Sequence, residues 1–348
     1  MTAIYVALVI YMVVLFGVGL FYSKKNATIN DFLLAGRDLG VVAATLTVTA
    51  SLFGGGLLTG SAQYAYDSGP MMYVYGIVGS GGGLLLAALL VHKMKDFSNY
   101  GTITQYLEAR YGSRFLRTGS AILSMIALIS IVGSQVAAVL AMVVIIALTS
   151  MGGLKAVTVT DGFQIILVII GVIWVTVVAL GDVGGFAGLN SALQSMTSEL
   201  PTDYNVFMTP AHFKTLLWMI LPGFMYVMIG QDIYQRLVVV SQIFTVVAGA
   251  AAVVVSMTIP SILDACFNAY YIFTAGVFCP IVFGVFWKKT TKQGAIAGLV
   301  AGGVFVMFAL STGFNIAGIG GELLSGILSA IVLVVVSLAT QPKEIARA

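Results

Sequence analysis

Long apolar runs bounded by polar or charged residues divide the chain at approximately 2–23, 41–66, 71–92, 118–136, 138–151, 161–181, 213–236, 240–259, 263–286, 294–312 and 321–339. The runs do not alternate at period two, so they do not read as barrel strands. About 20 apolar residues is the length at which an α-helix crosses a hydrocarbon core of about 30 Å. The pattern predicts an all-α integral membrane protein with about eleven spans. Two more polar stretches, "GFAGLNSALQSM" in the 182–212 connection and "GTITQYLEARYG" after the third run, read as short surface helices.

Two places do not fit a simple run of spans. Residues 118–151 are apolar almost throughout. As one helix they would reach roughly 50 Å, too long for a single span and too short for two with a turn. At 235–247, "QRLVVVSQIFTVV" begins a new apolar run directly after Arg236. Both read as junctions where connecting sequence is absent.

Composition agrees with the pattern. The 348 residues are 59% hydrophobic and 8% charged, with mean hydropathy +1.05, whereas soluble domains carry about 25% charged residues. The charges set an orientation. With the N-terminus outside, the inner connections hold Lys24, Lys25, Arg37, Lys93, Lys95, Arg110, Arg114, Arg117, Lys155, Arg236, Lys288, Lys289 and Lys292. The C-terminal tail adds Lys343 and Arg347, and of the 16 basic residues only Lys214 falls outside. This asymmetry predicts a multi-pass protein of a cell (inner) membrane, N-terminus outside and C-terminus inside. The first run has no basic residue before it and no small-residue cleavage motif, and reads as a retained helix. Because the basic residues are spread over many connections, nucleic acid is not an expected partner. Cys266 and Cys279 read as packing residues, and two histidines and two cysteines without ligand spacing predict no metal site of that type.

Within the spans, "TASLFGGGLLTG" at 49–60 places Gly54, Gly55 and Gly56 together, each costing about 1 kcal/mol of helix stability relative to alanine. Two readings stay open. One is close packing through small residues. The other is a broken helix whose freed carbonyls meet a cation. The "GSGGG" at 79–83 reads as packing. A second interrupted run, "LLWMILPGFMYVMIGQDIYQR" at 216–236, contains Pro222, Gly223 and Gly230. Two interrupted spans at corresponding places in two halves point to an inverted-repeat transporter. Asp161 is either a helix N-cap or a carboxylate near a cation path. Gln135 either bonds a neighbouring helix or faces a solute, and Tyr226 either packs or covers a cavity. Asp264 reads as an interfacial or capping residue, and Asp232 with Arg236 as an ion pair at i, i+4.

These motifs resemble those of the sodium:solute symporter family. "DFLLAGRDLG" is similar to the segment before that family's first core helix. "GGLKAVTVTDGFQ" is similar to its fourth-to-fifth helix junction, "GQDIYQR" to the end of its sixth core helix, and "AGVFCPIVFGVFWKKTTKQGAIAG" to its tenth-to-eleventh junction. They occur in the family's order across 31–300. The resemblance implies a LeuT-like bundle of two inverted five-helix repeats with an extra N-terminal helix at 2–23. Here 41–181 would be the first repeat, 213–286 a partial second repeat and 294–339 the C-terminal helices of one transmembrane domain. It implies Na+ as the coupling ion. Carried over by motif, Thr49 and Leu52 would give carbonyls to sodium, with Asp161 close behind. Ser51, Gly55, Gly56 and Gln135 would line the solute cavity, Tyr226 would stand at an aromatic gate, and Ser80 is a further candidate. Glycine at 55 and 56 argues against a sugar. The chain departs from the family where core helices 7–8 and the helix 3–4 connection should lie, at the two junctions noted above. The eighth core helix is where the family carries sodium-binding hydroxyls.

The expectation is a sodium-coupled secondary active symporter that imports a small polar organic solute (amino acid, carboxylate, vitamin or sugar class) across a lipid bilayer by alternating access. The alternative is a non-transporting membrane sensor or scaffold on the same fold. No nucleophile–base constellation suggests an enzyme, and the sequence is silent on oligomeric state.

Overall fold

The computed structural model describes residues 2–23, 40–52, 54–83, 85, 100, 102–134, 139–195, 201, 203, 204, 206, 209–230, 262–317 and 319–341. Six described helices are long and apolar enough to cross a membrane: Arg114–Val132, Lys155–Asp182, His212–Ile229, Cys266–Phe286, Lys292–Thr312 and Gly321–Ala339. Shorter apolar helices occupy Val9–Tyr22 and Val42–Leu52. A helix satisfies its own backbone, which lipid cannot do, so the apolar runs fold this way. The described residues fall into two compact units that interleave along the chain.

The first unit holds α1 (Thr2–Ser23), α2 (Val41–Leu52), α3 (Gly55–Ser68), α6 (Val139–Asp182) and α7 (Gly185–Ser195). Its backbone is α6, with α1 and α2 both packed along it. Unbent, the 44 residues of α6 would extend about 66 Å. Gly153 interrupts it with φ 60° and ψ −163°, a conformation essentially reserved for glycine. The runs expected at 138–151 and 161–181 are thus separated by a kink at a buried glycine, with no loop between them. Beyond Ile165 none of the described residues of α6 is buried, and Ile170, Ile173, Trp174 and Val175 point outward as lipid-facing side chains would. The surface helix expected in 182–212 is α7.

The second unit holds α4 (Ile103–Tyr111), α5 (Arg114–Ser134), α8 (Pro210–Ile229), α9 (Ile262–Phe286), α10 (Lys292–Thr312) and α11 (Gly321–Ala339). A two-stranded hairpin, β1 (Asn315–Ile316) and β2 (Ile319–Gly320), joins α10 to α11, with Asn315 opposite Gly320 and Ile316 opposite Ile319. Helices α10 and α11 meet through small residues. A Cβ on Gly298 would lie 2.9 Å from the Leu333 side chain, and one on Gly302 would lie 1.9 Å from the Ala275 carbonyl of α9. The facing serines of α11, Ser325, Ser329 and Ser337, are fully buried. Ser329 Oγ donates to Gly298 O at 2.9 Å, and Thr291 N donates to Ser337 Oγ at 3.2 Å. This is packing by backbone approach and interhelical hydrogen bonding, the kind available where lipid offers no hydrophobic drive.

Helix α4 is the amphipathic helix expected from "GTITQYLEARYG". Thr102 caps its start by accepting from Gln105 N at 3.0 Å, and Gly112 ends it at φ 60°. It docks on the carboxyl end of α9. Tyr111 OH donates to Pro280 O at 2.8 Å, and Arg110 Nε donates to Gly284 O at 3.0 Å. A cation there meets the negative end of the helix dipole.

The π-helical stretch Tyr75–Gly81 packs against α8 through glycine. A Cβ on Gly79 would lie 2.9 Å from the Tyr75 ring and 3.6 Å from Ile220, and one on Gly83 would lie 3.1 Å from Phe224 O. Close packing is the reading given above to "GSGGG".

Helix α8 differs from the interrupted span expected at Pro222. It runs unbroken through Pro222 and ends at Ile229, with Gly230 outside the helix. Proline lacks the N–H that would bond the carbonyl four residues earlier, which is Trp218 O. Tyr271 OH of α9 donates to that carbonyl at 2.6 Å, so the helix continues at no cost in unsatisfied backbone. Residues 231–261, including Asp232, Arg236 and the expected run at 240–259, lie outside the described residues.

Candidate functional site

The interruption of the first core span lies at Gly54, whose φ of −68° and ψ of 168° are extended. Helix α2 ends at Leu52 and α3 begins at Gly55. A helix leaves its last four carbonyls without intrahelical donors. Those of α2 belong to the turn Thr49–Leu52, which contains the two carbonyl positions, Thr49 and Leu52, that the motif comparison assigns to sodium. The carboxyl end of one helix favours a cation and the amino end of the next favours an anion. Gly55 and Gly56 form the first turn of α3.

The hydroxyls of this segment are arranged by helical periodicity. In "TLTVTAS", Thr49 Oγ1 donates back to Thr45 O at 2.8 Å and Ser51 Oγ to Thr47 O at 2.8 Å. Such i−4 back-bonds keep polar side chains satisfied in an apolar surround. Thr47 instead reaches across. Its Oγ1 donates to Asp161 Oδ2 at 2.5 Å, with Thr47 1% and Asp161 8% exposed. Asp161 lies inside α6, eight residues beyond the kink, so it is a mid-helix carboxylate and not an N-cap. Next to it, a Cβ on Gly162 would stand 3.5 Å from Leu46, in ordinary van der Waals contact, so α2 lies directly against this part of α6. A charge buried in the bilayer is costly unless paired, and the Thr47 hydroxyl is one of its partners. Thr47 precedes Leu52 by five residues, about 7.5 Å of helical rise. The first unit therefore combines a negative charge, hydroxyls and a helix carboxyl terminus, the hard-oxygen chemistry that suits a small cation.

Other sequence-predicted residues fall elsewhere. Ser80 lies in the π-helical stretch of the second unit. Tyr226 is buried there, stacked on Tyr270 with ring centroids 4.3 Å apart and edge-on to Phe273 at 5.6 Å. Gln135 lies outside the described residues. Sequence reasoning missed Thr47, for which the available signal was hydroxyls on every second residue from Thr45 to Ser51.

These features define a polytopic α-helical membrane protein with an interrupted span beside a buried carboxylate, an arrangement typical of secondary transporters. The family description "Sodium:solute symporter family" matches residues 32–139, 131–263 and 226–302. The chain belongs to the sodium:solute symporter family.

Among similar curated proteins is Sodium/proline symporter 2 of Staphylococcus saprophyticus, 26% identical over 233 residues that cover 58% of this chain and 44% of that one. The Sodium/pantothenate symporter of Escherichia coli is 24% identical, covering 62% and 49%. High-affinity choline transporter 1 of Torpedo marmorata is 25% identical, covering 74% and 49%. The chain thus spans about half the length of these relatives or less. A solved substrate-bound, outward-open structure of a Na+-coupled sialic acid symporter matches with TM-score 0.69 at 15% identity, covering 97% of this chain and 98% of that one. That likeness shows the fold, the LeuT-like bundle.

Proposed function

We propose that the protein is a sodium-coupled secondary active symporter that imports a small polar organic solute by alternating access. It sits in a cell (inner) membrane with its N-terminus outside and its C-terminus inside, the orientation the basic residues favour. The observation that carries this reading is the break at Gly54, which ends α2 close in sequence to the buried Thr47–Asp161 pair. In this reading Na+ meets the Thr49 and Leu52 carbonyls and the field of Asp161, while Ser51, Gly55 and Gly56 serve the solute path. Sodium favours the conformation in which those carbonyls converge, and by linkage raises solute affinity. The printed substrates of the relatives are proline, pantothenate and choline, and that of the structural neighbour is sialic acid. They support a small polar organic solute as cargo.

A second reading is a membrane binding or sensor protein on this fold.

Uptake into vesicles containing the purified protein separates the two. Radiolabelled proline, choline, pantothenate and sialic acid are offered under an inward Na+ gradient or an equal K+ gradient. Accumulation of one solute with Na+ alone, weakened by Asp161→Asn, supports symport. Sodium-dependent binding without accumulation overturns symport and leaves the sensor reading.

A further inference from the structure

Charged side chains that the transport reading does not use gather at one end of the second unit. Arg114 opens α5 and Lys292 opens α10. A Cβ on Gly119 of α5 would lie 3.1 Å from the Leu299 side chain of α10, and one on Gly303 of α10 would lie 3.4 Å from the Leu123 side chain of α5. The two contacts share one register, so α5 and α10 run parallel and their first turns stand at the same level. Lys288 and Lys289 lie in the turn from which α10 starts. From the other side, Arg110 Nε donates to Gly284 O at 3.0 Å and Tyr111 OH to Pro280 O at 2.8 Å, which fastens the end of α4 to the end of α9. The α4–α5 and α9–α10 connections, far apart in sequence, thus form one surface.

On it Arg110, Arg114, Arg117, Lys288, Lys289 and Lys292 are all exposed. Among the described residues of 102–119 and 284–294 the one carboxylate is Glu108, and it pairs with Arg117 at 2.9 Å. Topological sorting accounts for cations in each connection separately. It does not account for two connections docked so that their like charges face one region, where they repel unless an anion lies among them. The backbone that carries them is held in place. Thr290 Oγ1 donates to Phe283 O at 2.9 Å and to Trp287 O at 2.8 Å, and Thr291 Oγ1 accepts from Gly294 N at 3.1 Å. Beside the cations, Phe115 and Phe286 are 53% and 40% exposed, and Trp287 follows Phe286. Aromatic side chains next to lysine and arginine at the end of an apolar span mark the depth of the lipid headgroups.

We propose that this surface binds the phosphate headgroup of an anionic phospholipid. Arg114, Lys288, Lys289 and Lys292 supply the charge, and Phe115 and Phe286 meet the start of the acyl chains. A guanidinium matches phosphate oxygens in a two-pronged contact, and an ammonium adds a point charge. A basic surface between spans at the membrane boundary is the setting in which such headgroups are held. The proposal depends neither on the solute nor on which leaflet this end faces.

The test is native mass spectrometry of the purified full chain after exchange with equal amounts of phosphatidylglycerol and phosphatidylcholine of identical acyl chains. Wild type is expected to retain phosphatidylglycerol in preference, less so as the ionic strength of the exchange buffer rises. Lys289→Gln and Lys292→Gln are each expected to lower the preference about fivefold, the worth of one cation at an anionic membrane surface, and the pair about 25-fold. Lys292→Arg is expected to keep it. Lys214→Gln removes the same charge at the opposite end of the unit, where Lys214 Nζ donates to Ala317 O beyond the far end of α10, and is expected to leave the preference in place. The proposal is overturned if the double variant, melting as wild type does, keeps the preference. It is overturned if Lys214→Gln lowers the preference as much as Lys292→Gln, which marks net charge and not a surface. Displacement of the lipid by excess inorganic phosphate also overturns it, marking a site for a free anion. Should the double variant fail to fold, equal preference in Lys292→Gln and Lys292→Arg overturns it as well.

Discussion

The hydroxyl of Tyr271 donates to the carbonyl of Trp218 at 2.6 Å, and that carbonyl is the one whose helical donor Pro222 removes. A proline that removes a helical donor is thereby accommodated in an unbroken helix. Trp218 is held further by its own indole, whose Nε1 donates to Glu322 Oε1 at 2.6 Å. Tyr271→Phe should cost about 1 kcal/mol of unfolding free energy, near the middle of values for hydrogen bonds within membranes. In a Pro222→Ala background, where residue 222 donates again, the same change should cost less. A double-mutant cycle by denaturant unfolding in detergent measures the difference. Strict additivity would show that the two residues do not act on one carbonyl.

Thr47 and Asp161 should be coupled in the same way. Thr47→Val keeps the side-chain shape and removes the donor to Oδ2. Leaving a buried carboxylate short of a donor costs about 1.5–3 kcal/mol. In an Asp161→Asn background the loss should shrink, because the neutral amide asks less of its partner. Chemical denaturation of the four proteins reads this coupling directly.

At Gly153 the expected effect is one of conformation. Its φ of 60° with ψ −163° is strained for any L-residue by about 1–3 kcal/mol. Gly153→Ala should lower the melting temperature and shift protease cleavage or hydrogen exchange within 139–160, as α6 trades its kink for another path. Unchanged stability and exchange would contradict this backbone geometry.

The glycines of α10 and α11 give a graded series. Gly302→Ala places a methyl 1.9 Å from the Ala275 carbonyl, and overpacking of this kind costs about 1–3 kcal/mol or more. Gly326→Ala meets nothing within 4 Å and should be neutral or stabilising by about 0.4–1 kcal/mol. Yield of monodisperse protein after heating in detergent ranks the two.

Arg110 caps α9 through the Gly284 carbonyl. Replacing it with Met keeps most of the stem and loses the charge at the helix terminus, worth about 0.3–1 kcal/mol and screened by salt. The destabilisation of Arg110→Met should therefore be smaller at high ionic strength than at low.

Much of this fold could be read along the chain. Runs of about 20 apolar residues fix helices in lipid almost without tertiary help, so α1, α5, α9, α10 and α11 fall close to the segments drawn from hydropathy. Thr102 and Gly112 mark the ends of α4 through ordinary capping chemistry. The glycine triplet at 54–56 showed where the first core span breaks. Legibility stopped where a distant partner decides. Pro222 reads locally as an interruption, and only Tyr271, 49 positions away, makes it tolerable in a continuous helix. Gly153 reads as one of two adjacent glycines at a helix junction, and nothing local says that helical structure resumes immediately. Thr47 looks like its neighbours Thr45 and Thr49, which bond or accept within their own helix. Its pairing with Asp161 spans 114 positions and is set by how α2 lies on α6.

The torsions at Gly54 are open to any amino acid, since φ is negative there. A bulkier residue could bend the chain in the same way. What three consecutive glycines take away at that bend is side-chain volume. If the bend meets a solute as proposed, that solute would touch main chain there before any side chain, and exchanging one solute for another through evolution would be left to residues beyond the bend.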